Sequence, residues 1–459
     1  MRWLLFIWTW SCTGTADLQT PSPGSVSAEP ASVIEAPKDV LPPVMIVTLD
    51  TTRADHLGLY GYFRDTSPNL DHLAKMSLVF DDAIAPMATT LPTHLTLMTG
   101  LTPLEHGTTA NIMHGGTRFV PGAGVRTFAQ LLQDAGYQTG GFVSAAPLES
   151  GTGIERGFSV FDDPDGIERP ADQTIDAALA WLETVDLSRP WLMWVHLYDP
   201  HDPYWAPEHW RERFVGQGDQ AAWLSERRFS KHSRRPTGQL VETASANDRY
   251  DGEIGFMDGQ IGRLMLEVAR RKVVPIILVV GDHGEGLGQH GQPGHGRIWN
   301  EQLRVPMMLM APDLKPGRHA GTVGVVDAIP TLLGKLAVTG REDFMVQASG
   351  VDVLGPDGGP QAVYSMQSMR LVRLFGEAPT HSLTTSDAKW VWTEGRAAVR
   401  YDRQADPYEL LPIKDASAET RLRASREAQL RRGAALGAPE EQRISEETQQ
   451  ALEALGYME

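Results

Sequence analysis

Continuous apolar runs alternate with segments of helical apolar spacing along most of this chain. The first run, VMIVTL from Val44, leads directly into Asp50. A run with apolar residues at every position is typical of a strand buried on both faces of a parallel sheet. Runs of the same kind are WLMWVHL (Trp191 to Leu197), VVPIILVVGDHG (Val273 to Gly284) and RVPMMLMAP (Arg304 to Pro312).

Segments with a helical period separate these predicted strands. Ser67 and Pro68 open the helix SPNLDHLAKM, and Thr127 to Ala145 predicts a helix, a glycine cap and a further strand. Other predicted helices are Gln173 to Val185, Asp248 to Lys272 and the segment GVVDAIPTLLGKL. This alternation predicts an α/β fold with a large, mainly parallel sheet.

Two regions depart from the alternation. Residues 205–247 predict an irregular insertion. From residue 346 the runs become shorter and more polar, and Ala418 to Arg432 and Ser445 to Leu455 predict two helices near the end. We therefore predict a main α/β domain over residues 42–345 and a smaller C-terminal α+β subdomain over residues 346–459.

The N-terminus predicts export. MRWLLFIWTWS is a lone Arg followed by a short apolar run, and it ends just before Cys12. Residues 1–12 resemble a lipoprotein signal, in which the Cys carries the lipid, and a plain secretory signal or a misassigned start are the alternatives. Residues 13–41, rich in Pro and Ser, predict a flexible tether. We expect a lipid-anchored protein of a bacterial cell envelope, which touches the membrane only through this anchor.

Composition narrows the function classes. The 459 residues are 41% hydrophobic and 22% charged, and the net charge of −17 makes nucleic acid an unfavourable partner. The basic run from Glu226 to Arg235 predicts a solvated loop, with a local anion site as the alternative. Cys12 is the single cysteine, so cysteine nucleophiles and thiolate metal sites are excluded from the folded body.

Acidic residues follow two of the buried strands. Asp50 ends the first, and Asp282 with His283 ends the strand from Val273. The carboxyl edge of such a sheet is where ligands bind, and two carboxylates with an imidazole suit one divalent cation. A turn or helix cap is the structural alternative for either Asp. The glycine-rich loop that follows also carries His290 and His295, which predicts backbone held close to a ligand.

The stretch TTLPTHLTLMTG, from Thr89 to Gly100, adds a hydroxyl. Pro92 disfavours helix at Leu91, so we expect Thr90 on a bend just before a helix begins. A hydroxyl there can face a ligand while backbone N–H groups favour an anion. Ordinary helix capping is the alternative.

Taken together, these segments resemble the sulfatase family of the alkaline phosphatase superfamily. The resemblance is carried, in family order, by VTLDTTRADHLGLYGY, TSPNLDHLA, TTLPTHLTLMTG, VHLYDPHDPY, DHGEGLGQHG with LRVP, and VDAIPTLL. It implies an alkaline-phosphatase-like three-layer sandwich with a mixed sheet, and a small C-terminal domain with an antiparallel sheet.

Position by position, the resemblance implies roles for several residues. Asp50, Asp282 and His283 match metal ligands, and Thr90 falls at the nucleophile, which sulfatases convert from Cys or Ser to formylglycine. His201 matches a histidine that contacts the anionic ester group. His295 falls where sulfatases commonly carry a Lys near the leaving group.

Three positions depart from the family pattern. Thr51 stands where many sulfatases have a second metal-binding Asp, and His94 replaces an Arg. Thr90 cannot become formylglycine. A Thr at this position resembles the phosphoethanolamine and glycerol-phosphate transferases of the same superfamily, in which a metal-bound Thr attacks phosphorus.

We therefore predict a metal-dependent hydrolase or phosphotransferase that cleaves phosphate esters, in preference to sulfate esters, through Thr90 bound to one Ca²⁺, Mg²⁺, Mn²⁺ or Zn²⁺ ion. Thr51 is a further candidate ligand. His201 would stabilise the developing charge, and His295, with His290, would protonate the leaving group. Arg53 and His94 are additional catalytic candidates, whereas His196 is assigned to the structure.

Two alternatives stay open. The first is a sulfatase that works without formylglycine. The second is an inactive, surface-anchored binding protein, which the changes at Thr51, Thr90 and His94 would explain. In each case the expected partner is an anionic ester, namely a sulfated or phosphorylated glycan, lipid or small molecule.

Overall fold

The structure, a computed structural model, describes residues 41–112, 116–217, 237–356, 358–359, 362–445 and 448–450, without the side chains of 237–245. The strands are, in chain order, β1 (Val44–Leu49), β2 (Leu78–Ile84), β3 (Thr117–Val120), β4 (Gln138–Phe142), β5 (Val160–Asp162), β6 (Trp191–Leu197), β7 (Ile276–Gly281), β8 (Gly286–Leu287), β9 (Pro293–Gly294), β10 (Arg304–Val305), β11 (Met307–Met310), β12 (Gly317–Gly324), β13 (Val363–Met366), β14 (Thr380–Thr384), β15 (Ala388–Thr393), β16 (Val399–Asp402), β17 (Ile413–Lys414) and β18 (Glu440–Arg443).

The α-helices are, in chain order, α1 (Pro68–Ala74), α2 (Thr90–Thr99), α3 (Pro103–His106), α4 (Phe128–Asp134), α5 (Ala171–Thr184), α6 (Glu208–Arg213), α7 (Thr237–Arg270), α8 (Asn300–Leu303), α9 (Ala328–Leu333), α10 (Arg341–Gln347), α11 (Met369–Leu374) and α12 (Ala416–Leu436).

The central sheet is mixed, as predicted. Its strand order is β10-β2-β11-β7-β1-β6-β4-β5, with β12 paired to β2. The run from β7 to β5 is parallel throughout, and β11 is antiparallel to both of its neighbours, β7 and β2. The strands that carry the candidate ligands, β1 and β7, are therefore adjacent and parallel at the centre of the sheet.

Alternate residues of β1 enter two separate cores, one on each face of the sheet. Val44 and Ile46 pack in one core with α2, α4 and α9. Met45 and Val47 pack in the other with α5 and α7. Both faces of the strand are buried, which explains its unbroken apolar sequence. The layers confirm the predicted three-layer sandwich.

Some predicted elements differ from the structure. Thr90 is the first residue of α2 rather than part of a bend before it. Pro92 is tolerated there because the first-turn N–H groups have no intrahelical partner. The insertion 205–247 is not wholly irregular, since it contains α6 and the start of α7, which begins at Thr237 rather than at Asp248.

The C-terminal part is a five-stranded antiparallel sheet, in the order β13-β14-β15-β16-β17, covered by α12. It is tied to the main domain through the segment before α2. Ser365 Oγ donates to the carbonyl of Ala85 at 2.7 Å, and the Met366 amide donates to the carbonyl of Pro86 at 2.9 Å. The small subdomain thus packs directly beside Thr90.

Several predictions fall outside the described residues, namely the export signal with Cys12, nearly all of the tether, the basic run and most of the last predicted helix. In the part of the chain that the structure describes, no helix has both the length and the apolar character needed to cross a membrane.

Candidate active site

The strand register places the two acidic residues side by side. Leu49 of β1 pairs with Gly281 of β7, so Asp50 and Asp282 follow at equivalent positions. The Asp282 amide donates to the carbonyl of Leu49 at 3.1 Å, and the Asp50 amide donates to the carbonyl of Leu197 at 3.0 Å. The sheet therefore continues through both residues and fixes their backbones.

Asp50, Asp282 and His283 form a buried cluster. One ligand atom from each lies within 4.8 Å of the others. Their facing atoms Asp50 Oδ1, Asp282 Oδ2 and His283 Nε2 have no hydrogen-bond partner. A buried, unpaired polar atom is costly, so three of them facing one point indicate a site for an additional group.

The orientation of His283 is set by its other nitrogen. Nδ1 lies 3.0 Å from the carbonyl oxygen of Gly284, so this nitrogen carries the proton and donates it. The Nε2 lone pair therefore faces the carboxylates, 3.5 Å from Asp282 Oδ2. Burial, with the nearby His295, lowers the pKa of His283 well below its usual value, which keeps the ring neutral.

Asp50 is held by His196, a residue that the sequence analysis assigned to the structure. The Ser144 amide donates to His196 Nδ1 at 3.3 Å, so the proton lies on Nε2, which is 3.2 Å from Asp50 Oδ2. Burial lowers the pKa of His196 to about 3. A neutral imidazole thus donates to one carboxylate oxygen of Asp50 and leaves the other, Oδ1, to the cluster.

Thr51 adopts a left-handed backbone conformation, with φ of 43°. This conformation is strained for a β-branched residue. The Thr51 amide donates to Asp282 Oδ1 at 3.1 Å, and its carbonyl accepts from the hydroxyl of Tyr250 at 2.6 Å. The backbone is therefore bent to bridge the carboxylate of Asp282 and α7. The hydroxyl Oγ1 of Thr51 is buried without a partner.

Thr90 lies at the first position of α2 and is fully buried. Its hydroxyl Oγ1 has no hydrogen-bond partner, so it does not cap the helix. The next amide, that of Leu91, instead donates to Asn111 Oδ1 at 2.8 Å. With the capping function supplied by another residue, the Thr90 hydroxyl is available to a ligand.

His94 connects α2 to the cluster. Its Nδ1 lies 2.8 Å from the carbonyl oxygen of Thr90 and 3.6 Å from Asp282 Oδ2. Burial, with His196 adding to it, lowers the pKa of His94 to about 3. The ring is therefore neutral, and it does not supply the positive charge of the Arg that the resemblance expects at this position.

His201 and His295 lie together beside the cluster. Their ring centroids are 5.2 Å apart, and the ring of His295 is 4.6 Å from that of His283. The His201 Nδ1 donates to the carbonyl of Asp202 at 2.6 Å. Burial lowers the pKa of His201, so its ring is neutral.

His295 has a different electrostatic environment. Its Nδ1 lies 3.4 Å from Glu285 Oε2, and that carboxylate is buried. Burial lowers the pKa of His295, but the charges of Glu285 and Asp50 outweigh it, so the net pKa is raised. Beside His201 and His283, whose pKa values are lowered, His295 is the histidine whose pKa is raised, which favours its protonated form.

Two predicted residues are bound elsewhere. His290 stacks on Trp299 at 4.0 Å and lies 2.8 Å from Glu301 Oε1, which commits its ring to that cluster. Arg53 forms an ion pair with Asp55 at 2.9 Å and donates to the carbonyl of Glu285 at 3.1 Å. Arg53 therefore supports the loop that carries Glu285.

The site also contains residues that the sequence analysis missed. The amide Nδ2 of Asn111 is buried without a partner, while its Oδ1 holds the Leu91 amide from 20 positions away. A pocket beside it is lined by Thr89, Asn111, His295, Gly296, Ser368, Arg370 and Leu371. No local pattern marks Asn111 or Arg370, because only the tertiary structure brings them to the pocket that Thr89 lines.

The cluster fits a divalent metal ion. Two carboxylates and a neutral imidazole offer unpaired ligand atoms. Burial raises the pKa of Asp50, and burial with the charge of Asp50 raises that of Asp282. Two neighbouring buried carboxylates need a positive counter-charge in order to ionise together, which a divalent cation supplies.

A mixed α/β sheet with an antiparallel C-terminal sheet beside it is an alkaline-phosphatase-like fold. The chain belongs to the sulfatase family: the family model described as Sulfatase matches residues 42–338. Among curated proteins, it is 23% identical to an arylsulfatase of Clostridium perfringens over 80% of this chain and 89% of that protein.

Solved structures share the fold. The sulfatase-family protein yidJ of Bacteroides fragilis matches with a TM-score of 0.71 and 19% identity, over 87% of this chain and 98% of that one. The phosphonate monoester hydrolase of Agrobacterium radiobacter matches with a TM-score of 0.65 and 19% identity, over 88% and 97%. The chain is thus similar to hydrolases of both sulfur and phosphorus esters.

Proposed function

We propose that this sulfatase-family hydrolase cleaves phosphate-type esters, that Thr90 is its nucleophile, and that Asp50, Asp282 and His283 hold one divalent cation. The observation that carries the proposal is the buried Thr90 hydroxyl. It has no hydrogen-bond partner, just as the facing atoms of the three candidate ligands have none.

The side chain of Thr90 supports phosphorus over sulfur chemistry. Formylglycine releases sulfate from a gem-diol, which has a second hydroxyl for this purpose. A sulfated Thr has no second hydroxyl and no such route. A phosphothreonine, in contrast, is open to attack by water at phosphorus, as in other enzymes that form covalent phosphoenzymes.

The bound cation would lower the pKa of the Thr90 alcohol and withdraw charge from the ester oxygens. Thr90, as the alkoxide, attacks phosphorus: the Oγ–P bond forms, and the bond from phosphorus to the leaving oxygen breaks. His295 gives its proton to that oxygen. Water then attacks the phosphothreonine, His295 takes back a proton, and Thr90 leaves as the alkoxide, which restores both residues.

His201 would meet the non-bridging oxygens. Burial lowers the pKa of His201, which favours the neutral ring. An anionic ester beside it favours the imidazolium, so substrate binding would draw a proton onto His201 and create a charged donor. His290 has no part in this scheme, since its ring is bound to Glu301.

The test compares three variants on one aryl phosphodiester. Thr90→Ala is expected to lower kcat by on the order of 10⁴-fold or more, and Thr90→Ser to retain part of the activity. Thr99→Ala is the matched control, because this hydroxyl lies at the opposite end of the same helix, where it donates to the carbonyl of Leu95 and accepts from the amide of Leu101. Full activity in Thr90→Ala, with metal still bound by elemental analysis, would refute the proposed nucleophile.

Sulfate-ester hydrolysis is the second candidate, and the similarity to an arylsulfatase favours it. To separate the two candidate activities, the sulfate ester and the phosphate esters of the same aryl alcohol are compared as substrates. A kcat/KM for the sulfate that exceeds those for the phosphates would assign the chain to sulfate esters. No turnover of either kind, together with no bound metal, would support an inactive binding protein.

We also propose that the chain is exported and lipidated at Cys12, because the sequence before it resembles a lipoprotein signal. Labelling of cells with a fatty-acid analogue is expected to mark the wild-type protein and not the Cys12→Ser variant. Equal labelling of both would contradict lipidation at this residue.

A further inference from the structure

The pocket beside Thr90 is built from both parts of the chain. Thr89 and Asn111 contribute to it from the segments around the nucleophile, since Thr89 precedes Thr90 and Asn111 holds the Leu91 amide. Arg370 and Leu371 of α11 come from the C-terminal part. The same pocket is therefore lined by neighbours of the nucleophile, by His295 as the proposed leaving-group acid, and by a guanidinium.

The position of α11 relative to His295 is fixed by the backbone. The Ser368 amide donates to the carbonyl of Gly296 at 2.8 Å. Gly296 has φ of 109°, and a Cβ there would lie 3.0 Å from Leu371 Cδ1. Glycine at this position allows close packing, so the segment before Arg370 is held directly against the residue that follows His295.

Two donors line the pocket. Asn111 is only 4% exposed and its Nδ2 has no partner, which suits an oxygen of the reacting ester group. Arg370 is half-buried, with Cζ 5.5 Å from the ring centroid of Phe375. A guanidinium binds oxyanions through paired N–H groups, and burial strengthens such a contact.

We propose that Arg370 selects esters whose leaving alcohol carries a second anionic group, namely a carboxylate, phosphate or sulfate. This inference rests on the proposed function, since Arg370 lines the same pocket as His295, which stands at the leaving-group position. The substrate class is then the ester of an acidic alcohol, such as a sugar acid or a doubly esterified sugar, rather than of a neutral one.

The test uses two esters of equal size, methyl 4-carboxyphenyl phosphate and methyl 4-carbamoylphenyl phosphate. The ratio of their kcat/KM values measures selection for charge. The wild-type enzyme is expected to favour the carboxylate by about tenfold or more, and Arg370→Met to bring the ratio close to one, as expected for loss of a charged hydrogen bond. Arg370→Lys should retain an intermediate ratio.

Arg373→Met is the matched control, because Arg373 lies on the same helix, is exposed and does not line the pocket. It is expected to keep the wild-type ratio. A purely structural role of Arg370 would lower both kcat/KM values and leave their ratio unchanged, which would overturn the proposal. A wild-type ratio of one or below would overturn it as well.

Binding without turnover separates this proposal from the proposed function. In the Thr90→Ala background, titration calorimetry with the same two esters should show tighter binding of the carboxylate, and Arg370→Met should abolish the difference. This result would uphold the role of Arg370 even if Thr90 were not the nucleophile. Equal affinities for the two esters in Thr90→Ala would refute the role of Arg370 and leave the test of Thr90 unaffected.

Discussion

His196 Nε2 lies 3.2 Å from Asp50 Oδ2 and donates a hydrogen bond to it. His196 is the second-last residue of β6, and Asp50 directly follows β1, the parallel neighbour of β6. The Ser144 amide fixes the tautomer from the far side of the ring. One residue thus determines which oxygen of Asp50 is available to a cation.

Replacing His196 should weaken metal binding without removing a ligand. We expect His196→Gln to lower metal affinity by about 10–100-fold, the usual cost of losing a group that orients a ligand. Competition with a chromogenic chelator measures it. His381→Gln is the control, since His381 is equally buried but bonds to Tyr364 in the C-terminal sheet. A loss of affinity in both variants would contradict a specific role for His196.

Asp282→Asn should have opposite effects on the stability of the metal-free and metal-loaded protein. Burial and the charge of Asp50 raise the pKa of Asp282 well above 3.8. A carboxyl group whose pKa is raised by folding stabilises the folded state most at pH values below its pKa in the unfolded state. This stabilisation is lost as the pH rises through the folded-state pKa.

At pH 8 the metal-free Asp282→Asn variant should therefore melt at a higher temperature than metal-free wild type. The increase in Tm that metal gives the wild type should be absent from the variant. Thermal melts with chelator and with added cation check both effects. A lower Tm of the variant in chelator would count against repulsion between Asp50 and Asp282.

Thr51→Asp should tighten metal binding. It adds a carboxylate where the resemblance expects one, and Asp tolerates the left-handed backbone better than Thr does. We expect a gain in affinity of about tenfold, and a smaller gain or none in Thr51→Asn. Because Asn relieves the same backbone strain, the difference between the two variants isolates the charge. Equal affinities would show that residue 51 does not reach the cation.

The loop that carries His201 should contribute less to the stability of the folded protein as the pH rises. Burial and the adjacent charge of Asp199 raise the pKa of Glu253 on α7 to about 10, and the two carboxyl groups share a hydrogen bond. Since the folded pKa lies above the usual value of 4.5, this stability is complete below pH 4.5 and declines as the pH approaches 10.

Glu253→Gln keeps the donor without titrating. At pH 9 the free energy of unfolding of Glu253→Gln should exceed that of wild type by about 2 kcal/mol, and the difference should be smaller at pH 5. Urea titrations at the two pH values measure the difference. A constant difference between the variant and wild type across this range would contradict a shared proton.

The sequence predicted the fold where a local pattern controls the structure. The strands β1, β6 and β7 are buried on both faces, so their unbroken apolar sequences identify them directly. The placement of Asp50 beside Asp282 follows from two parallel strands that end at one edge. The start of α2 at Thr90 was missed because Pro92 is acceptable in a first turn.

Other parts of the site depend on contacts between distant segments. Tyr250 and Thr51 are in contact although they lie 199 positions apart in the sequence. The side chain of Asn111, and not that of Thr90, accepts the hydrogen bond from the Leu91 amide. The tautomers of His196 and His283 depend on backbone partners that no residue pattern specifies. Such features follow from the tertiary packing and not from local spacing.

The bonds from Ser365, Met366 and Ser368 to Ala85, Pro86 and Gly296 have a consequence for protein engineering and for evolution. They join the C-terminal sheet to the segments on either side of the reaction centre. A chimera that takes its C-terminal part from a relative would keep the residues proposed for chemistry but would replace one wall of the pocket. Exchange of the last hundred or so residues is therefore expected to change the substrate preference, while Thr90 and the three candidate ligands stay unchanged.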